Sequence, residues 1–268
     1  MRADPVLEPL RGLPLARAQS RTLAVKSHRP WSLPDPPWVM GQTWEDLLFA
    51  HWPVNAEVLR RIVPRQLELD EFAGSGWISV TPFVVRALRA RWLPPLPLGS
   101  WFPELNVRTY VTVGGKPGIW FLSLDAGSRI AVAAARRAYR LPYFHARMAR
   151  QRRGVGVSYR SDRAPWAGAA ARLEVEYAPT GDVFVARPGS LEHFLAERYC
   201  LYALHGDGRL HRTEIHHPPW PLQPARARFA ANTMTAPVGI DLDDRPTLNF
   251  ARRQDVLVWP PVAVAGGR

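Results

Sequence analysis

The sequence has one cysteine, two lysines and no long apolar run. A single cysteine, Cys200, excludes an internal disulfide and any zinc site built from cysteines, and it is typical of a reducing compartment. No segment approaches the ~18 consecutive apolar residues that a membrane-spanning helix needs. The N-terminus also lacks the compact apolar region of a secretory signal peptide. We therefore expect a cytoplasmic protein with no membrane partner.

Positive charge is abundant but dispersed. The formal net charge is +12, and all but two of the 35 basic residues are arginines. They are spread from Arg2 to Arg268 without a basic run longer than pairs or near-pairs. A nucleic-acid-binding protein usually concentrates such residues where they neutralise phosphates. Nucleic acid is therefore not the expected partner, although an arginine-rich nucleic-acid binder stays open as a minor hypothesis.

The composition predicts one packed domain with two tails. The chain is 47% hydrophobic and contains 11 Trp, 10 Phe and 7 Tyr, which is typical of a globular core. Residues 1–39 are rich in Pro and Arg and show no regular period, so we expect a disordered tail there. Met40 then begins a single domain over residues 40–262, and residues 263–268 form a C-terminal tail.

Local signals predict many short strands and two or three short helices. Asn55, Ser128 and Ser190 are plausible helix N-caps before segments with helical spacing. Gly114-Gly115 predicts a hairpin turn between two strands. Since no regular alternation of strands and helices is present, the expected fold class is α+β, mainly antiparallel, as a barrel, cone or sandwich.

One strand alternates apolar and polar side chains with period 2. Its polar face carries five residues: Glu104, Asn106, Arg108, Tyr110 and Thr112. This face either meets solvent or lines a cavity, where Arg108 would offer a bidentate fork to a carboxylate and Asn106 and Tyr110 would add hydrogen bonds. The neighbouring segment 119–124 is apolar on both sides, which favours the cavity.

The segment from His216 to Gln223 places three prolines around Trp220, next to two histidines. Rigid aromatic and proline-rich loops often shape a pocket wall, so His216 and Trp220 are candidate ligand-binding residues; the alternative is a stiff loop that only closes one end of the fold. Adjacent His216 and His217 would face opposite sides of a strand, and no acidic residue stands at ligand spacing. We expect neither a metal nor a cofactor.

Seven segments resemble the YqjF-like family of conserved bacterial proteins of unknown function, which is related to the acetoacetate decarboxylase superfamily. They are His51-Trp52-Pro53-Val54, Asn106-Val107-Arg108-Thr109-Tyr110-Val111, Phe121-Leu122-Ser123-Leu124-Asp125-Ala126, Leu141-Pro142-Tyr143-Phe144, Pro188-Gly189-Ser190-Leu191, Glu197-Arg198-Tyr199-Cys200-Leu201-Tyr202 and the loop from His216 to Gln223. The resemblance implies an acetoacetate decarboxylase-like barrel or cone.

The same resemblance implies that decarboxylase chemistry is lost. The reactive segment of those enzymes runs Gly-Arg-Glu, an aromatic, Gly-Phe-Pro and two lysines, the first of which forms a Schiff base. Aligned through Pro142, it places the aromatic on Tyr139 and the lysines on Tyr143 and Phe144, which cannot form an imine. Its arginine is matched to Arg136, with a shift of one residue in that part of the segment. The family's acidic strand residue is expected to be replaced as well, which leaves amide, guanidinium and phenol groups.

These observations predict a small-molecule pocket for a carboxylate or carbonyl compound. In an enzyme, Tyr143 would act as general acid or base and Arg108 as an electrostatic clamp, while Asn106, Tyr110, Arg136 and Tyr139 would bind the ligand. The alternative is a binding or regulatory module without turnover, which the absence of a nucleophile or metal motif favours. A homo-oligomer is left open.

Overall fold

The computed structural model describes residues 8–95, 99–242 and 245–265, with only the backbone for residues 8–12. The strands are β1 Met40–Val54, β2 Glu68–Leu69, β3 Gly76–Ala90, β4 Phe102–Val113, β5 Lys116–Ala126, β6 Tyr143–Arg153, β7 Gly156–Arg163, β8 Arg172–Pro179, β9 Cys200–Leu204, β10 Leu210–His216, β11 Leu222–Asn232, β12 Thr247–Val258 and β13 Val262–Ala263. The helices are α1 Glu8–Arg21, α2 Ala56–Arg60, α3 Arg129–Tyr139 and α4 Leu191–Ala196, with short 3-10 turns at Thr22–Ala24 and Ala236–Val238. The expected α+β, mainly antiparallel class is confirmed.

Seven of the strands close a ring. In order around it, β10 pairs with β9, then β5, β4, β3, β1 and β12, and β12 pairs back with β10. The contact between β5 and β9 is parallel and the other contacts in this ring are antiparallel. Closure of the ring leaves an interior lined by every second side chain of each strand.

A second group of strands packs against the outside of this ring. β6, β7, β8 and β11 run in that order from β5 around to β12. The largest apolar cluster lies between the ring and this second group, and it takes Leu105 and Val107 from β4 and Tyr159 and Leu173 from the second group. Because these outward side chains of β4 are buried there, its alternate side chains face the ring interior.

The helix caps predicted from the sequence are confirmed. The side chain of Asn55 accepts a hydrogen bond from Glu57 N, Ser128 Oγ from Ala131 N, and Ser190 Oγ from His193 N. α4 covers one end of the ring, where its Leu195 packs in a cluster with Trp77 and Tyr110. No helix in the described part of the chain has the length and apolar character to cross a membrane.

The N-terminal segment differs from the prediction of a disordered tail over residues 1–39. Within its described part, α1 packs against the ring: Gln19 is fully buried and its Nε2 donates to Thr43 Oγ1 (3.2 Å) and to the carbonyl of Ala87 (3.1 Å). Arg89 Nε donates to Gln19 Oε1 (2.8 Å). These contacts are made by single polar side chains to strands far along the chain. They leave no regular hydrophobic period in the local sequence, and composition alone therefore predicts disorder.

Further contacts hold both ends of the chain. Arg29 Nη1 donates to the carbonyl of Ile215 (2.7 Å), and Trp38 packs with Leu257 and Trp259. The predicted C-terminal tail over residues 263–268 begins inside β13, which pairs with β10, and its last three residues lie outside the described ones. The prediction of a single domain over residues 40–262 stays a prediction.

The docking of α1 can be tested at Gln19. A Gln19→Ala variant leaves the carbonyl of Ala87 and Nε of Arg89 without these partners, so we expect the free energy of unfolding to fall by about 1–3 kcal/mol in urea titrations. Gln66→Ala, at an exposed position, is the matched control and should stay within about 0.5 kcal/mol of the unmodified protein. Equal stability of the two variants would contradict docking of α1.

Candidate functional site

The interior of the seven-strand ring is a cavity of about 510 Å³. All seven ring strands and α3 contribute to its wall, and Ala196 at the end of α4 contributes to the end that α4 covers. At the other end the cavity meets solvent, because the lining residues Leu93 and Ile130 are 54% and 75% exposed. The site is therefore a pocket with one covered and one open end, as ligand sites in proteins commonly are.

The polar face of β4 lies inside this pocket. Glu104, Asn106 and Arg108 line it, and each is only 6% exposed. The structure thus places these side chains in a cavity wall rather than in solvent, which were the two alternatives open from the sequence. Tyr110, the next residue on this face, is not among the lining residues; its hydroxyl donates to the carbonyl of Leu195 (3.0 Å) under the covered end.

Arg108 has few partners for a buried cation. Its Nη2 lies 3.5 Å from the carbonyl of Leu195, its Nε has no hydrogen-bond partner, and no carboxylate among the described residues pairs with it. The guanidinium lies over the ring of Phe49. The Oδ1 of Asn106 is also buried without a partner. Since buried polar atoms are nearly always satisfied, these two groups indicate a position for a polar ligand.

The imidazoles near Arg108 do not supply a compensating charge. Burial, and then the charge of Arg108, holds the pKa of His51 well below its usual value, so His51 is neutral. Burial likewise lowers the pKa of His217, which lines the pocket. The second lining guanidinium at this end, that of Arg198, is paired with Asp70. The uncompensated charge at the covered end of the pocket is therefore that of Arg108.

Buried Glu104 and partly buried Tyr143 form a hydrogen-bonded acid pair. The hydroxyl of Tyr143 donates to Glu104 Oε1 (3.2 Å), and both residues line the pocket. Burial raises the pKa of Glu104 to about 8, although the Tyr143 hydrogen bond opposes this effect. Burial and the neighbouring Glu104 raise the pKa of Tyr143. At neutral pH, Glu104 is therefore mainly a neutral carboxylic acid, which can donate a proton or a hydrogen bond to a ligand.

Glu104 corrects one expectation from the sequence. The acidic strand residue was expected to be replaced, which would leave only amide, guanidinium and phenol groups, whereas the pocket also contains this carboxyl group. The signal was present, because Glu104 shares its strand face with Asn106 and Arg108. The resemblance to distant relatives instead places Asn106 or Arg108 near the family's acidic strand residue.

The other candidates are divided between the pocket and the surface. Tyr139, Tyr143 and Trp220 line the pocket. Arg136 does not: it is exposed, and its Nε donates to the backbone carbonyl of Tyr143 (2.6 Å). His216 points away from the pocket and its Nε2 donates to the carbonyl of Thr22 (2.9 Å). His217 takes the inward position, since adjacent residues of extended chain face opposite sides.

The two lysines of the chain lie away from the pocket. Lys116 pairs with Glu214 and its Nζ lies over the ring of Trp31, while Lys26 is exposed. Neither belongs to the lining residues. Over residues 8–95, 99–242 and 245–265, no group of three or more His, Cys, Asp or Glu side chains is placed to hold a metal ion.

Comparison with solved structures shows the fold. An acetoacetate decarboxylase-like enzyme from Sphingomonas wittichii RW1 matches with a TM-score of 0.59 at 13% identity, over 91% of this chain and 99% of that one. Acetoacetate decarboxylase from Legionella pneumophila matches at 0.56 and 12%, over 90% and 93%. The enduracididine biosynthesis enzyme MppR, solved in complex with pyruvate, matches at 0.58 and 11%, over 87% and 93%. The expected acetoacetate decarboxylase-like fold is confirmed.

Comparison by sequence shows the family. YqjF of Bacillus subtilis (strain 168), described as an uncharacterised protein, is 48% identical over 230 residues, which are 85% of this chain and 94% of that protein. The model of the DUF2071 family, described as an uncharacterised conserved protein, matches residues 41–255. The ring strands from β1 to β12 lie almost wholly within that match, so the chain belongs to the DUF2071 family.

Proposed function

We propose that the ring cavity binds a small molecule that carries a carboxylate or carbonyl group, with Arg108 as its anchor. The observation that carries the proposal is the guanidinium of Arg108, which lines the cavity, is 6% exposed and has no carboxylate partner among the described residues. A buried charge of this kind is costly to a folded protein unless an anion compensates it. A ligand carboxylate supplies that anion and matches the planar fork of the guanidinium.

Groups near Arg108 can add further contacts to the bound ligand. Asn106 lies two residues away on the same strand face, and rotation of its amide presents either an acceptor or a donor to the ligand. The bound pyruvate of MppR is a ligand of the same chemical class in a protein of similar fold. Binding does not pass through a Schiff base, because neither Lys26 nor Lys116 lines the cavity.

The Glu104–Tyr143 pair favours a second candidate function, general acid–base catalysis on the bound carbonyl compound. A carboxyl group with a pKa of about 8 holds a proton at neutral pH and can release it to a ligand oxygen or carbon within reach. Tyr143 orients this group through its hydrogen bond. Incubation with 2-oxo acids followed by mass spectrometry separates the candidates, since a binding module returns the acid unchanged.

The setting proposed for this activity is the cytoplasm. Cys200, the only cysteine of the sequence, is a buried free thiol, and burial raises its pKa to about 11, so it is an unreactive core residue. Nucleic acid is a weaker candidate partner because some exposed arginines of the second strand group pair with carboxylates, as in Arg160 with Asp162 and Arg228 with Glu176. Such pairs offset part of the positive charge that phosphates would need.

The anchor is tested by comparing two arginines. With pyruvate and longer 2-oxo acids as probes, Arg108→Met should abolish the ligand-induced rise in melting temperature, whereas Arg136→Gln, at an exposed position outside the cavity, should retain it. Without ligand, the free energy of unfolding of Arg108→Met should exceed that of the unmodified protein by on the order of 1 kcal/mol, because the substitution removes a buried unpaired charge. Unchanged ligand-induced shifts in Arg108→Met would remove Arg108 from the site.

The protonation of Glu104 predicts a pH dependence. The folded protein holds this proton up to about pH 8, whereas an ordinary glutamate loses it near 4.5. Between these values the folded state binds more protons than the unfolded state, so the free energy of unfolding falls as the pH rises, by up to about 1.4 kcal/mol per pH unit from this group. Glu104→Gln should remove that slope in urea titrations from pH 5 to 8.

A companion variant separates this effect from other titrations. Tyr143→Phe removes the hydrogen bond that lowers the pKa of Glu104. In this variant, the pH range over which the free energy of unfolding falls should therefore extend to a higher pH than in the unmodified protein. Identical pH profiles for the unmodified protein and Glu104→Gln would contradict the assignment of Glu104 as a neutral acid.

A further inference from the structure

We infer that the ligand is amphipathic: a carboxylate on an unbranched apolar chain of medium length, bound with its head at Arg108 and its chain directed along the cavity toward the open end. This inference rests on the proposed function and specifies the class of compound that the same cavity accepts. Three features of the cavity carry it, namely its length, its apolar wall and the composition of its mouth.

The cavity is too large for a three-carbon acid alone. Its volume is about 510 Å³, whereas cavities of ~300–1,000 Å³ enclose ligands of drug size. Phe102 and Arg108 both line it, and the six residue steps from one to the other correspond to about 20 Å of extended strand. A head group held by Arg108 at the covered end leaves most of this length for the rest of the ligand.

The wall beyond the polar face of β4 is mainly apolar. It includes side chains from the six other ring strands: Trp44, Phe83, Leu88, Ile119, Phe121, Leu201, Ile215 and Val258. Such a surface offers almost no hydrogen bonds, so a polar ligand body would lose its hydration there without compensation. Methylene groups instead gain free energy from leaving water. The wall therefore selects a hydrocarbon chain behind the charged head.

The mouth has the same character. Ile130, Ala134 and Ala138 follow one another at intervals of four on α3, and all three line the cavity although they are exposed. Leu93 is a further exposed lining residue, at 54%. Small alanine side chains keep the passage beside α3 open, and exposed Ile130 and Leu93 provide apolar contacts for a chain that reaches this point.

The inference is tested with straight-chain monocarboxylates from butanoate to decanoate, by calorimetric titration of the full chain. Each methylene transferred from water is expected to lower the Kd about fourfold, from ~0.8 kcal/mol per methylene, until the chain reaches the mouth. 1-Octanol, which lacks the charge, should bind more weakly than octanoate. Equal Kd values across the acids would overturn the inference.

Two matched variants on α3 locate the chain. Ala134→Trp places a large side chain at a lining position and should weaken decanoate binding at least tenfold while leaving butanoate unaffected. Ala133→Trp, one residue away at an exposed position outside the lining, should bind both acids as the unmodified protein does. Equal losses in the two variants would contradict a passage beside α3.

Different results would overturn the proposed function and the inference of an amphipathic ligand. If Arg108→Gln binds octanoate as tightly as the unmodified protein, the carboxylate anchor and the proposed function are both wrong. If Arg108→Gln abolishes binding but the affinity of the unmodified protein does not increase with chain length, the anchor stands and only the amphipathic class is wrong.

Discussion

Closure of the strand ring at β5 is the constraint on which the cavity depends. β5 pairs with β4, β9 and β6, so it belongs both to the ring and to the second strand group. Asp125 on β5 forms a fully buried ion pair with Arg163 on β7, with 2.7 Å between Oδ1 and Nη2. Loss of one partner would leave an uncompensated charge in the interior. The outward-facing side chains of the ring are therefore buried against the second strand group, and the inward-facing side chains line the pocket.

The pocket retains groups that reduce stability. Arg108 and Asn106 keep unpaired buried atoms, and Glu104 avoids a buried negative charge only by retaining its proton. Apolar residues at these positions would give a more stable domain. Departures of this kind from good packing are typical of functional sites, where the missing partner is the ligand. These properties of the polar face of β4 support the ligand binding that we propose for it.

The sequence predicted the parts of the site that depend on local pattern. Period-2 alternation on β4 placed Asn106 and Arg108 on one face, and the apolar neighbouring strand favoured an interior for that face. Of the candidates chosen by alignment or by loop composition, only some line the pocket. Tyr139, Tyr143 and Trp220 line the pocket, whereas Arg136 is exposed and His216 faces outward. Whether each of these side chains faces the pocket depends on how its segment is rotated about its own axis. That rotation depends on where each strand enters the ring.

The sequence by itself determined the mainly antiparallel class, the capped short helices and the family. The class and the caps follow from residue type and short-range spacing, whereas the family follows from the resemblance of seven segments. Only the tertiary structure decided that α1 docks on the ring, that His217 and not His216 faces the pocket, and that Glu104 is buried beside Tyr143. Each depends on contacts between residues far apart in the chain, because burial and charge compensation arise only when distant strands meet.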